Sequence, residues 1–132
     1  MLSEAESEYL KTQRLARIAT VSPNGEPEVS PVAFEYDGKC FYVGSHDQSI
    51  FFRTRRYKNI TSGNNRVSLV IDDLESIDPW KPRGIKIRGK AEVVEHHGIF
   101  GKGSYLRITP KVTISWQIEP SKEGQWYSRK TH

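Results

Sequence analysis

The spacing of apolar positions along the chain changes period twice. From Leu15 the run LARIATVS predicts a strand, the turn residues of SPNGEPEVS follow, and a second strand is predicted through SPVAFEY to complete a hairpin. Asp37 and Gly38 mark another tight turn, and the aromatic, β-branched KCFYVGS after it predicts a third strand. The period then lengthens. Ile50, Thr54 and Tyr57 recur beside Phe51 at helical spacing, which predicts one helix of about three turns, capped by Ser45 or Asp47 and ending near Gly63. RVSLVID from Arg66 returns to a buried strand. Beyond it Ile85, Ile87, Gly89, Ala91 and Val93 fall on one face while Lys86, Arg88, Lys90 and Glu92 fall on the other. GIFGKGS reads as a glycine-rich connection and VTISWQIE as the last strand.

Ser3 and Glu6 have capping-box spacing, which predicts a short N-terminal helix within residues 4–14. PSKEGQWYSRKTH is expected to be a mobile tail. The chain thus divides into an N-terminal helix (1–14), a β domain (15–119) and a C-terminal tail (120–132). About six antiparallel strands with one or two short helices make a mainly β fold, and a closed or partly closed barrel leaves the fewest unpaired edges.

Composition narrows the picture. A chain of 132 residues suits one domain, and 36% hydrophobic with 27% charged residues fits a folded protein. No apolar run approaches the roughly 20 residues that span a bilayer. The acidic start MLSEAESEYLKTQ is the reverse of a secretory signal, so the cytoplasm is the expected compartment. Cys40 is the only cysteine, which excludes an intrachain disulfide and a multi-cysteine zinc site. His96 and His97 would point to opposite faces of a strand, so no metal site is expected. The net charge of +4 permits an anionic partner, and its densest cluster is Arg53, Arg55, Arg56 and Lys58.

Three features carry candidate chemistry, each with a bland alternative. Arg55, Arg56 and Lys58 crowd about one helical turn, which suits a phosphate or an ordinary solvated basic face. DPWKPRGI reads as a stiff loop presenting Trp80 and Arg83 for binding, or as a lid with a surface charge. Ser30, Pro31 and Val32 mark either a simple edge strand or free backbone against a flat heterocycle. His46 is a further hydrogen-bonding candidate, and Asp72 and Asp73 read as a strand-ending turn. No Ser/His/Asp set, carboxylate pair or P-loop stands out, so no catalytic residue is assigned and a cofactor would carry the hard chemistry.

These residues together resemble the FMN-binding split-barrel superfamily, also called pyridoxamine 5'-phosphate oxidase-like, and within it the branch that uses the deazaflavin coenzyme F420. The resemblance lies in RIATVSPNGEPEVSPVAFEY, GKCFYVGS, TRRYKNITSGNNRVSLVIDDL, DPWKPRGIKIRGKAE and RITPKVTISW. It implies a six-stranded antiparallel split β-barrel, homodimeric, with the cofactor in a groove between subunits. Arg56 and Lys58 would hold the phosphate with Arg55 as a third cation. Ser30, Pro31 and Val32 would lie beside the ring system together with Gly44, Ser45 and His46, while Trp80, Lys81 and Arg83 would approach from the other subunit. Family members often carry lysine where Arg56 stands. The implied activity is hydride transfer from F420, or alternatively FMN, to a small electron-poor acceptor. A non-catalytic carrier or sensor is the alternative. A nucleic-acid binder stacking bases on Trp80, Tyr42 and Phe52 ranks last, because the basic residues cluster rather than line a track.

Overall fold

Ser3 opens the first helix as its spacing from Glu6 predicts: Glu6 N donates to Ser3 Oγ at 3.1 Å and Ser3 N donates to Glu6 Oε1 at 2.8 Å. The computed structural model describes residues 2–119 and 128–132. Helix α1 spans Glu4–Lys11, shorter than expected, because Thr12 N already bonds Tyr9 O in a tightened last turn. Glu6 is only 1% exposed, and its carboxylate also accepts from Ser115 and Arg129, which fastens the helix to the sheet.

Among the described residues eight strands form one antiparallel sheet: β1 Leu15–Val21, β2 Pro27–Ala33, β3 Glu35–Tyr36, β4 Phe41–Val43, β5 Arg66–Ser76, β6 Lys81–Gly98, β7 Gly101–Trp116 and β8 Ser128–Thr131. Their spatial order is β2-β1-β5-β6-β7-β4-β3, with β8 also on β7. The two ends of that path, β2 and β3, are joined in sequence by Phe34 alone. A flat sheet of this order would hold them about 29 Å apart, far beyond the reach of one residue. The sheet therefore curls until its ends meet, and the fold is a split β-barrel. Ile18, Leu69, Ile71, Ile85, Ile87, Phe41 and Ile108 fill one core inside it, with Tyr9 and Leu10 of α1 packed into the same cluster.

Several sequence expectations change. The second strand breaks at Phe34, whose ring packs 6.3 Å from that of Phe41. The single helix divides into α2 (Gln48–Phe51) and α3 (Arg55–Thr61). Asp47 caps the first; extended Thr54 ends the run and caps the second by accepting from Tyr57 N at 3.2 Å. The glycine-rich connection is two long strands instead, since Gly98 pairs with Gly101 across the two-residue turn of Ile99 and Phe100. Its glycines answer to two needs: Gly101 takes a positive φ of 83° just past the turn, whereas a Cβ on Gly103 would strike the Gln48 amide, which itself bonds Ser104 N and O. The alternation of β6 holds through Ala91 and lapses at Val93, which is exposed. Asp72 and Asp73 lie within β5, which continues to Ser76 and leaves only residues 77–80 as the turn; Lys81 to Arg83 already belong to β6. Of the expected tail, residues 120–127 lie outside the described residues, whereas Ser128–Thr131 is a strand paired with the end of β7.

Candidate functional site

The end of β4 and the first turn of α3 meet at Ser45 and Arg56. Ser45 follows Gly44, and an added Cβ at Gly44 would stand 2.5 Å from the Tyr105 ring, so only glycine lets the strand end lie flat on that ring. Ser45 is buried. On the other side, Thr54 fixes the start of α3, and buried Asn59 ties the helix to β1 by donating to Thr20 Oγ1 at 2.9 Å. These anchors hold Arg56 half-buried, with one guanidinium nitrogen donating to Ser45 Oγ at a long 3.4 Å. Its Nε is withdrawn from solvent and has no hydrogen-bond partner among the described residues.

An unpaired guanidinium in that position is costly. Burial pulls its pKa below arginine's ordinary value, and a cation in the first turn of a helix opposes the helix dipole. An oxyanion would relieve both effects, with the guanidinium and the Ser45 hydroxyl as donors. Arg55 and Lys58 are exposed on the same helix, and neither they nor Arg56 forms an ion pair among the described residues. Arg55 stands at the rim of a cavity of about 420 Å³ between α3 and the β1–β2 turn, beside Ser22, Asn24, Glu28 and Asn59.

The other predicted residues are distributed unevenly. His46 is exposed immediately beyond Ser45. Ser30, Pro31 and Val32 lie on β2, which among the described residues pairs only with β1, so Pro31 sits on an edge strand where its missing N–H costs nothing; Val32 points into the core. Trp80 is 67% exposed at the end of the β5–β6 turn, and Lys81 is exposed beside it. Arg83 is not free in the same sense: it donates to both Asp73 oxygens, at 2.8 and 3.1 Å, and its guanidinium lies 5.0 Å from the Tyr9 ring centre. Sequence reasoning missed the Gly44–Tyr105 platform and the Asn59–Thr20 bond, because each joins residues far apart in the chain. Among the described residues no group of three or more His, Cys, Asp or Glu side chains could hold a metal ion, and no helix is long and apolar enough to cross a membrane.

Comparison with known proteins supplies a broader frame. Residues 2–123 match the family model described as pyridoxamine 5'-phosphate oxidase. A 5a,11a-dehydrotetracycline/5a,11a-dehydrooxytetracycline reductase of Streptomyces rimosus subsp. rimosus is 32% identical over 123 residues, 89% of this chain and 84% of that protein. Among solved structures, a conserved hypothetical protein from Mycobacterium tuberculosis superposes with a TM-score of 0.68 at 20% identity, covering 95% of this chain and 93% of its own. A protein named F420 reductase superposes at 0.63 and 17% identity, covering 85% of this chain and 98% of its own. The two structural likenesses concern the fold.

Proposed function

Because the chain belongs to the pyridoxamine 5'-phosphate oxidase family, we propose that it is a reductase that binds coenzyme F420, with FMN as the alternative, and reduces a small electron-poor organic acceptor. The observation that carries this reading is Arg56, a half-buried guanidinium that, among the described residues, makes only the long bond to Ser45 and leaves its Nε without a partner. A phosphorylated cofactor tail suits that donor set, with Lys58 and Arg55 adding charge from the surface. The cofactor ring supplies the hydride chemistry.

The chain's own residues bind and orient. The Ser45 hydroxyl and the Arg56 guanidinium fix the phosphate end, and Gly44 offers backbone without a side chain beside it. The edge backbone at Ser30, Pro31 and Val32 provides one wall for a flat ring. The activity named for the Streptomyces relative supports an acceptor with a conjugated, electron-poor carbon skeleton. Two copies would build the complete site: Ile77 and Trp80, 74% and 67% exposed on one turn, make a surface suited to a second chain, with Trp80 and Lys81 reaching its cofactor groove.

Titration of the apoprotein with oxidised F420 and separately with FMN, followed by cofactor fluorescence, tests the reading. Saturable binding of one of them, with reduced cofactor then consumed by unsaturated carbonyl compounds, is the expected result. Binding of neither would end it.

A further inference from the structure

The outward face of β1, β5, β6 and β7 carries a pocket of about 570 Å³ floored by Ala19, Val21, Ser68 and Val112. Four cations line it, Arg66, Arg88, Lys90 and Lys111, all exposed, none in an ion pair among the described residues, and its lining holds no carboxylate. Arg66 and Lys90 stand directly opposite each other across β5 and β6, and Arg88 faces Ser68 in the next outward row. Like charges in directly opposed positions destabilise a sheet, so the arrangement works against folding unless an anion joins it.

A second feature concerns the fourth cation. Between Arg88 and Gly89 the β6–β7 register shifts: Arg88 pairs with Val112 and Gly89 with Pro110, leaving Lys111 as the extra residue of a bulge. Lys111 lines the pocket beside Val112. The bulge adds one residue to β7 at this point, and that residue is a cation on the lining of the pocket. Gly89 permits it, since a Cβ there would run into the Thr109 carbonyl.

We propose that this face is a second anion site, apart from Ser45 and Arg56, for a small organic dianion on an apolar body, either a phosphomonoester or a dicarboxylate. The volume falls in the range of small-molecule sites, and the apolar floor distinguishes it from a simple phosphate-backbone track. The inference does not depend on the identity of the cofactor held at Arg56.

Backbone amide NMR of the intact protein, titrated with naphthyl phosphate, phthalate and inorganic phosphate, tests it. Saturating shifts are expected at Ala19, Ser68, Gly89 and Val112 with the two organic dianions, and weaker ones with inorganic phosphate; the stronger of the first two identifies the acid type. Replacing Arg66 and Lys111 by serine should weaken this binding about tenfold or more, while Arg56→Ala leaves it in place. Both replaced side chains are exposed, and loss of the opposed charge at Arg66 should leave the melting temperature equal or higher, which separates lost binding from lost folding. Shifts confined to the Ser45 and Arg56 region, undiminished affinity in the double variant, or tighter binding of an oligothymidylate than of naphthyl phosphate would overturn the proposal.

Discussion

Arg56 reaches Ser45 with one nitrogen at 3.4 Å while its Nε, shut off from solvent, bonds to none of the described residues. A cation placed so contributes little to folding and much to recognition. Arg56→Ala should therefore leave thermal stability equal or raised, and weaken cofactor binding by about tenfold to a hundredfold, the range expected for losing a charge-assisted hydrogen bond. Arg56→Lys should recover part of the affinity, since an ammonium keeps the charge without the planar fork. Fluorescence titration of both variants beside a melting curve checks this. Unaltered affinity in Arg56→Ala would remove the phosphate from this position.

The Gly44–Tyr105 contact sets the height of the Ser45 strand end. A methyl group on Gly44 would stand 2.5 and 2.6 Å from two ring carbons of a side chain that is 1% exposed. The ring cannot yield freely, because its hydroxyl donates to Gly101 O at 2.7 Å and accepts from Phe100 N at 3.1 Å, closing the β6–β7 hairpin. Gly44→Ala should cost about 1–3 kcal/mol by overpacking. In a Tyr105→Ala background the same change should cost much less. Additive losses in the double variant would show that the ring does not impose the glycine.

The capping box at Ser3 and Glu6 and the turn at Asp37 were legible because each is a contract between neighbours in sequence. Asp37 accepts from Lys39 N at 2.8 Å and Cys40 N at 2.7 Å, as an aspartate-glycine turn requires. The cation cluster was legible as a cluster, but the fact that selects Arg56 from its companions was not: only the tertiary fold buries one guanidinium and leaves Arg55 and Lys58 in water. The helix failed for a related reason. Ile50, Thr54 and Tyr57 keep helical spacing through a break, since Thr54 serves as a cap rather than an interior residue. Gly98 and Gly103 of the β6–β7 hairpin misled because a glycine demanded by a crowding neighbour looks the same in sequence as one demanded by a turn, as Gly101 with its positive φ is.

Asp73 gathers three residues of different elements: Arg83 in two bonds, the Tyr9 hydroxyl at 3.0 Å and Gln13 at 3.2 Å. The bonds from Arg83, ahead of the others, hold its carboxyl below the ordinary aspartate value. A depressed folded pKa means that the stabilisation is complete above the unfolded value of about 3.9 and is lost as pH falls through the folded one. Asp73→Asn should cost about 1–2 kcal/mol at neutral pH, allowing for partial exposure of the pair. Its stability should then fall less steeply than that of the parent between about pH 5 and 2. Denaturant midpoints measured across that interval decide the matter: parallel curves would mean that Asp73 is not a source of the acid sensitivity.

Trp80 and Ile77 form an exposed apolar tip on the β5–β6 turn, with Leu74 40% exposed nearby on the same hairpin. A tryptophan alone offers about 200 Å² of contact area, and desolvating it in a partner's groove would contribute more than any of the rim charges around it. Arg83, bonded to Asp73 and packed on Tyr9, anchors the base of the same hairpin, so the tip projects from a fixed root. If the proposed dimer forms through this turn, Trp80→Lys should move the sedimentation coefficient toward that of a monomer and weaken cofactor binding together, without lowering the melting temperature of the isolated subunit. Ile77→Lys should shift the assembly less far toward the monomer and leave more of the cofactor affinity, because Trp80 still reaches the partner's ring in the dimers that persist. A Trp80→Lys variant that stays dimeric with full affinity would free the turn from both roles.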